Sequence, residues 1–163
     1  MPYMSHYMSP LGRLLLAADD EGIVGIWFEG QKHFAKGLAK DCREQDVPVL
    51  TKLKDWLDQY FARQNPDITV PVHFIGTAFQ REVWTMLQTI PYGATVTYGE
   101  IARKLAQSRG IPQMSAQAVG NAVGRNPIAI LVPCHRVVGA NGNMTGYAAG
   151  MERKKALLGL EQP

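Results

Sequence analysis

The chain has 163 residues, of which 46% are hydrophobic and 19% charged, so it can bury a core and is not a disordered segment. Its apolar runs are shorter than the about 20 residues of a membrane helix, and its first residues lack the basic and apolar segments of a secretory signal. Its two cysteines, Cys42 and Cys134, do not form a disulfide framework, so we expect free thiols and a cytoplasmic location.

The charge is divided unevenly along the chain. The net charge is +3, with 17 lysines and arginines and 14 aspartates and glutamates. Residues 1–76 hold 8 basic and 10 acidic side chains, whereas residues 77–163 hold 9 basic and 4 acidic ones. The basic excess lies in the second half, which weakly indicates a polyanionic partner there.

Residues 1–76 predict a small α/β domain. Short runs rich in strand-forming residues predict three strands, at residues 3–8, 12–18 and 23–29. Residues 19–22 form a turn, which predicts a hairpin between the second and third strands. Apolar residues at helical spacing over 50–61 predict a helix that covers one face of this sheet. The prolines and glycine of residues 65–76 predict an extended linker, and we find no catalytic constellation in this half.

Residues 77–163 predict a mostly helical domain. The segments 77–80 and 97–100 each place a threonine three residues before a glutamine or a glutamate, the pattern of a capping box that begins a helix. Ser115 is a candidate N-cap for a third helix at 116–124, whose side chains are unusually small. Small side chains allow close approach of another backbone, or alternatively tight packing against neighbouring helices.

Two of these helices, joined by a glycine-containing turn, predict a helix-turn-helix motif. The apolar run Ile128–Val132 predicts a strand, and with the Asn141-Gly142 turn it predicts a hairpin-like wing after the helices. Residues 151–161 predict a closing helix. We therefore expect an α+β fold: a small N-terminal antiparallel sheet with a helix, followed by a mostly helical C-terminal domain that contains a winged helix-turn-helix.

A cysteine and a histidine lie side by side at Cys134-His135, immediately after the predicted buried strand. Pro133 ends that strand, because proline has no N–H to donate and its φ is fixed. A thiol reacts as the thiolate, so a neighbouring base or positive charge must help to remove its proton. The alternative interpretation is a buried structural cysteine beside an incidental histidine, since structural cysteines are common and inert.

The residues around the pair favour the reactive interpretation. Asn126-Pro127, five intervening residues and the run 133–137 (Pro-Cys-His-Arg-Val) resemble the active-site signature of the O6-alkylguanine-DNA alkyltransferases, also called methylated-DNA–protein-cysteine methyltransferases. The resemblance covers about residues 77–161. It implies DNA repair by direct reversal, in which one alkyl group moves from O6-alkylguanine to the cysteine after base flipping. It further implies no cofactor, a monomer, and double-stranded DNA bound through its minor groove with little sequence specificity.

The resemblance also implies roles for five catalytic residues. Cys134 is the nucleophile, and His135 is the base that acts through a bridging water. Glu161 accepts a hydrogen bond from the other nitrogen of His135. Asn126 ties the helix-turn-helix to the active-site turn, and Tyr98 supports the flipped base and donates toward guanine N3. Without the resemblance, Glu161 would be interpreted as a solvated carboxylate and Tyr98 as an ordinary first-turn tyrosine.

Further residues are expected to bind the lesion and the DNA. The expected substrate-binding residues are Val137, Gly146, Tyr147 and Ala148. The expected DNA-binding residues are Arg109, Ser115, Ala116, Gln117, Gly120, Arg125 and Arg136. Gln117 stands where the family commonly has the arginine that fills the gap left by the flipped base, and the loop 106–114 is longer than usual. We expect Arg109 to compensate, whereas Arg136 has either a structural or a phosphate-binding role.

Several alternatives are weighed against this interpretation. Some family members bind zinc in the first domain, but Cys42, His6, His33 and His73 do not reproduce that spacing, so we predict no metal. Alkyltransferase-like binding proteins lack the cysteine, a fused regulator would need a further domain, and a Cys-His hydrolase would need an oxyanion-hole motif. Methyl and bulkier groups, and O6-alkylguanine and O4-alkylthymine, remain alternative substrates on the sequence alone.

Overall fold

The computed structural model describes residues 2–144 and 146–163, and its fold is α+β, as predicted. The first half contains a four-stranded sheet of order β3-β2-β1-β4. Its strands are β1 (Tyr3–Ser9), β2 (Gly12–Asp19), β3 (Gly22–Phe28) and β4 (Arg43–Glu44). The first three pair antiparallel, which confirms the predicted strands and hairpin, whereas the short β4 was not predicted and pairs parallel with β1.

The turn between β2 and β3 is closed by the Asp19 carboxylate, which accepts from the backbone N–H groups of Glu21 at 2.9 Å and Gly22 at 3.2 Å. A Cβ at Gly22 would lie 2.7 Å from the Pro71 carbonyl oxygen, so this position requires glycine. The predicted linker is therefore packed against the sheet rather than free. Ile23 donates to the Pro71 carbonyl at 2.9 Å and accepts from the His73 N–H at 2.8 Å.

The helix predicted in the first half is α1 (Pro48–Phe61), which begins one turn after β4 and places a proline at its first position. Its buried stripe is Leu50, Leu53, Trp56, Leu57 and Tyr60. The apolar members of this stripe pack on the inner face of the sheet, which explains their helical spacing in the sequence. The stripe also carries the Tyr60 hydroxyl toward the second half of the molecule.

The predicted helices of the second half are confirmed. They are α2 (Ala78–Leu87), α3 (Tyr98–Arg109), α4 (Ala116–Gly124) and α5 (Met151–Leu160). Thr77 and Gln80 form a reciprocal capping box at α2. Thr97 caps α3 by accepting from the Glu100 N–H at 3.1 Å, and Ser115 caps α4 in the same way. Helices α3 and α4 pack against each other, and the connection between them begins with Gly110 in the left-handed region at φ 67°.

The predicted strand Ile128–Val132 is wrong. This segment is a buried, turn-rich stretch that contacts the sheet through a single bridge between Ile26 and Ile128. Ile130 has a φ of 68°, a left-handed conformation that a β-branched side chain strongly disfavours. The strand pairing in this half is instead a short parallel pair, β5 (Val96–Thr97) with β6 (Val137–Val138).

One apolar cluster runs from the sheet and α1 through α2, α3 and α4 to Leu157 of α5. The proposed division into residues 1–76 and 77–163 therefore stays a prediction, because the two parts share a core. Within the described residues, no helix is both long enough and apolar enough to cross a membrane.

Candidate active site

The segment that leads to Cys134 is held by the side chain of Asn126 rather than by a strand ladder. The Asn126 amide donates to the carbonyls of Ile128 at 3.2 Å and Val132 at 2.9 Å, and its oxygen accepts from the Ile128 N–H at 3.0 Å. These three bonds satisfy backbone groups that a strand would have paired with a neighbour. They also stabilise the strained conformation at Ile130, which alone costs about 1–3 kcal/mol.

Cys134 begins a short 3-10 turn, Cys134–Arg136, in which all three residues are buried. Its thiol lies in a cleft of about 540 Å³. The residues that line this cleft are Lys32, His33, Tyr98, Gly120, Asn121, Val123, Gly124, Arg125, Asn126, Cys134, Gly146, Tyr147, Ala148, Gly150 and Met151. The structure thus brings eight of the predicted site residues together around one thiol, although they come from α3, α4, the turn and the loop before α5.

The thiol is protonated in the resting protein. Burial raises the pKa of Cys134 above its ordinary value, because the thiolate is poorly solvated there. The side chains of Asn126, Lys154 and Tyr147 favour the thiolate and partly offset this effect. The Tyr147 hydroxyl is buried and makes no hydrogen bond of ordinary geometry with the described residues, although it lies close enough to Cys134 to influence the thiol.

His135 and Glu161 form a fully buried pair, with Nε2 of the imidazole 2.6 Å from Oε2 of the carboxylate. Burial lowers the pKa of His135 below its ordinary value, and the nearby charges of Arg136 and Lys154 lower it further. Glu161 raises this pKa but does not outweigh the other effects. The neutral ring therefore donates its Nε2–H to Glu161, which leaves Nδ1 with a free lone pair. Nδ1 has no hydrogen-bond partner among the described residues, so it is the nitrogen that can accept a proton.

Glu161 is held ionised by the groups around it. Burial opposes its ionisation, but hydrogen bonds from His135, Arg136 and Tyr60 outweigh that effect and lower its pKa to about 2. Arg136 donates from Nε to Oε1 at 2.8 Å and from Nη2 to Oε2 at 3.0 Å. The Tyr60 hydroxyl donates to Oε2 at 2.6 Å.

Arg136 is among the expected DNA-binding residues, and the structure supports the structural one of its two expected roles. Its side chain is 10% exposed, and its third nitrogen, Nη1, donates to the Ile90 carbonyl at 2.7 Å. Each of the three guanidinium nitrogens thus donates to a buried acceptor, which favours the structural role.

Lys154 is a buried cation that the sequence interpretation missed. Its Nζ donates to the carbonyls of Val137 at 2.7 Å and Gly146 at 3.3 Å, and so joins β6 to the loop before α5. Val137 itself, one of the expected substrate-binding residues, is buried outside the cleft lining. The missed signal was helical spacing, since Lys154 and Glu161 lie seven residues apart with two leucines between them on the same buried stripe.

The exposed start of α4 lies beside a second groove, which shares Tyr98, Gly120 and Asn121 with the cleft of Cys134. Ala116 and Gln117 line this groove, whereas Ser115 is the exposed N-cap of the same helix. The cation that lines the groove is Arg103 of α3, which sequence reasoning did not single out.

Arg109, the cation expected to compensate for Gln117, has a partner instead. Its Nη2 lies 2.6 Å from Oε2 of Glu82, and its guanidinium lies 5.4 Å from the centroid of the Phe79 ring. The guanidinium is 40% exposed, so the ion pair with α2 reduces, rather than removes, the charge that it presents to solvent.

The loop after β3 is the other missed feature, because no functional residue was assigned to the first half. Lys32 and His33 line the cleft of Cys134, and the Lys32 N–H donates to the Ala148 carbonyl at 3.0 Å. His33 is exposed with a φ of 59°, and its pKa is lowered by slight desolvation and by the charges of Arg125, Lys36 and Lys32. This wall of the cleft is therefore positive, although the half that supplies it is net negative.

Among the described residues, one group has a geometry that a cation could occupy: Asp19, Glu21 and His73. Both imidazole nitrogens already bond to carboxylates, Nδ1 to Asp19 at 2.6 Å and Nε2 to Glu21 at 2.8 Å. These two contacts join the β2–β3 turn to the segment after α1. That no metal is bound stays a prediction.

Taken together, the cleft offers a soft nucleophile, a neutral buried base and a fixed carboxylate in contact with that base. Such a set can activate a thiol for attack on an electrophilic carbon. The cleft lining includes two tyrosines, several polar side chains and backbone groups, which can hold a flat heterocycle by stacking and hydrogen bonds.

Comparison with known proteins agrees with this chemistry. Residues 3–74 match the model of the 6-O-methylguanine DNA methyltransferase ribonuclease-like domain, and residues 78–163 match that of the 6-O-methylguanine DNA methyltransferase DNA-binding domain. The chain is 44% identical over 163 residues to the methylated-DNA–protein-cysteine methyltransferase of Methanosarcina acetivorans, covering 98% of this chain and 97% of that one. It is 51% identical over 157 residues to that of Mycobacterium leprae, covering 94% and 88%.

Solved structures give the same result. Mycobacterium tuberculosis OGT in complex with DNA superposes with a TM-score of 0.84 at 40% identity, covering 98% of this chain and 92% of that one. A crystal structure of the M. tuberculosis O6-methylguanine methyltransferase superposes with a TM-score of 0.80 at 38% identity and covers 99% and 93%. On the family models and on these near full-length relatives, the chain belongs to the 6-O-methylguanine DNA methyltransferase family.

Proposed function

We propose that this protein repairs O6-alkylguanine in DNA by moving the alkyl group irreversibly to Cys134, with O4-alkylthymine as a second substrate class. The observation that carries the proposal is the buried His135–Glu161 pair next to a thiol in an open cleft. The relatives' names, methylated-DNA–protein-cysteine methyltransferase, and the M. tuberculosis structure with DNA support the same reaction.

In the resting state the thiol and the imidazole are both neutral, because burial disfavours their charged forms. When a lesion enters, the Cys134 proton passes to Nδ1 of His135 through a bridging water. The imidazolium that forms is stabilised by Glu161, which is already ionised and 2.6 Å away. Lys154 favours the thiolate at the same moment.

The thiolate then attacks the alkyl carbon in line with the bond to O6. The new S–C bond forms as the C–O6 bond breaks, and the electron pair of that bond stays on guanine. Tyr98, at the first position of α3, donates toward guanine N3 as this charge develops. The thiol proton finally replaces the alkyl group on guanine. The thioether on Cys134 is not a leaving group, so each protein molecule reacts once.

The target base must leave the duplex to reach Cys134, since the thiol lies at the inner wall of the cleft. We propose that α3 and α4 act as a helix-turn-helix whose small residues, among them the exposed Ala116 and the half-buried Gly120, enter the minor groove. Gln117 would fill the space of the extruded base, and its amide could bond the orphaned partner. Arg125, exposed beside the cleft, would contact a phosphate. The contacts would be to shape and backbone, with little sequence specificity.

The remaining parts of the proposal concern organisation. Residues 1–76 would form a supporting domain and residues 77–163 the catalytic and DNA-binding domain. The protein would act as a monomer in the cytoplasm, where a reducing environment keeps Cys134 free.

The test is the mass of the intact protein after incubation with a duplex that contains O6-methylguanine. We expect an increase of one methyl group, located at Cys134 by peptide mapping. Cys134→Ala should abolish the increase while duplex binding persists, and the matched variant Cys42→Ala should react like wild type. Binding without any mass increase would indicate a lesion-recognition protein, and repeated turnover with excess substrate would contradict the single-use mechanism.

A further inference from the structure

Tyr60 belongs to α1, in the half of the chain without a catalytic motif, yet it touches the centre of the proposed proton relay. Its side chain is 1% exposed, and its hydroxyl donates to Oε2 of Glu161 at 2.6 Å. The same oxygen faces Nε2 of His135, also at 2.6 Å. Tyr60 and the proposed base therefore share one carboxylate oxygen.

Packing explains the Tyr60 ring but not its hydroxyl. The ring lies 5.3 Å from the centroids of both Trp56 and Phe61 and 6.2 Å from that of Tyr92. A phenylalanine would fill the same volume without the cost of burying a polar group. The hydroxyl makes a charge-assisted bond to Glu161, so its effect is on that carboxylate.

Charged and titratable groups face the Glu161–His135 pair from every packed element. Tyr60 comes from α1, Tyr92 from the segment before β5, and Arg136 from the same 3-10 turn as His135. Lys154 of α5 and the Cys134 thiol complete the set. Among them, Tyr60 is a neutral donor to Oε2 of Glu161, the oxygen that also contacts His135. Removal of the Tyr60 hydroxyl therefore changes the negative charge that Oε2 presents to His135 and leaves the other groups in place.

We propose that Tyr60 is a positioning residue of the transfer reaction, which orients Glu161 and limits how much of the carboxylate charge acts on His135. This inference rests on the proposed function. When the hydroxyl is removed, Oε2 keeps more negative charge, and the imidazolium of His135 becomes easier to form. The pKa of His135 then rises toward its ordinary value, and the acid limb of the transfer rate moves to higher pH.

The experiment compares Tyr60→Phe with wild type in the full chain. Single-turnover methyl transfer from an O6-methylguanine duplex is measured across pH, and the His135 ring is titrated by ¹⁵N NMR. We expect the acid limb and the His135 titration both to shift upward by about half a pH unit or more. The neutral-pH rate should be lower by about threefold to tenfold, because Glu161 loses one of the bonds that orient it toward His135. Tyr7→Phe is the matched control, since it also removes a hydroxyl 2.6 Å from a carboxylate of α1, that of Asp58.

A Tyr60→Phe protein whose pH profile and His135 titration overlay those of wild type would overturn the inference, even if its melting temperature fell. A double variant gives a second readout: in a Glu161→Gln background, Tyr60→Phe should have little further effect, whereas an additive loss would show a purely structural role. If wild type transfers no methyl group, the proposed function fails and this inference with it. If wild type transfers the methyl group but the His135 titration of Tyr60→Phe overlays that of wild type, this inference alone fails.

Discussion

Residues 1–76 are net negative and contain no catalytic motif, whereas residues 77–163 are net positive and contain the cysteine, the histidine and the carboxylate. In the folded molecule the contrast is weaker. The first half contributes the Tyr60 hydroxyl to Glu161, and it contributes Lys32 and His33 to the wall of the Cys134 cleft. Residues 1–76 thus contribute single side chains to the Cys134 site, each far along the chain from the residues that it contacts. Such contacts produce no recognisable motif in the sequence of this half.

The largest expected effect lies in the second half. His135→Gln should slow transfer at neutral pH by about 100-fold to 1000-fold, because the neutral thiol then has no base. The loss should become smaller with rising pH only above pH 9.0, the ordinary pKa of a cysteine thiol, because burial raises the pKa of Cys134 above that value. Single-turnover rates across pH provide the measurement. His73→Gln, in the first half, is the control, and a pH-independent loss in His135→Gln would argue against the relay.

Acid stability should depend on one carboxylate. The folded-state pKa of Glu161 is about 2, below its unfolded value near 4.5, so its ionisation stabilises the fold above pH 4.5. This contribution, about 3 kcal/mol, is lost as the pH falls from 4.5 to 2. Urea unfolding at several pH values should show the loss in wild type and a much smaller one in Glu161→Gln. Asp55→Asn, which removes an exposed carboxylate from α1, is the control; an equal loss in Glu161→Gln would contradict the assignment.

A smaller effect is expected at the start of α4. Gln117→Ala should slow repair of a lesion in duplex DNA by about threefold to tenfold while the reaction with free O6-methylguanine is unchanged, because only the duplex requires extrusion. Parallel rate measurements on the two substrates test this. Equal losses would place Gln117 in the base pocket instead.

The two arginines of α3 should differ in their effect on duplex affinity. The guanidinium of Arg109 is bonded to Glu82, whereas Arg103 is the cation that lines the Gln117 groove. Arg109→Ala should therefore lower duplex affinity less than Arg103→Ala.

The smallest effect is expected in the first half. Lys32→Ala should weaken duplex binding about threefold and reduce the salt dependence of binding by about one counterion, as expected for the loss of a phosphate contact near the cleft. Titrations of a labelled duplex at several salt concentrations measure both quantities. Lys52→Ala, an exposed lysine of α1 outside the cleft lining, is the control. An unchanged salt slope in Lys32→Ala would restrict DNA binding to the second half.

Features that depend on neighbouring residues were predictable from the sequence. Helical spacing and caps predicted the helices α1 to α5, because a cap acts over three residues and a buried stripe repeats within one helix. The Asn-Pro and Pro-Cys-His-Arg-Val signature likewise predicted a reactive thiol and its base. Both kinds of signal lie within a short window of the chain.

Features that depend on distant partners were decided only by the tertiary structure. Ile128–Val132 has strand-forming residues, but Asn126 bonds its backbone and overrides that preference. Arg136 belongs to the signature, and only the folded structure shows that it is buried against Glu161 and the Ile90 carbonyl. Tyr60 meets Glu161 across 101 residues, and Lys32 meets Ala148 across the two halves. The sequence alone predicted a reactive thiol and determined the helices around it. The packing of the two halves decided which polar groups surround that thiol and its neighbouring histidine, since hydrogen bonding and desolvation depend on proximity in space.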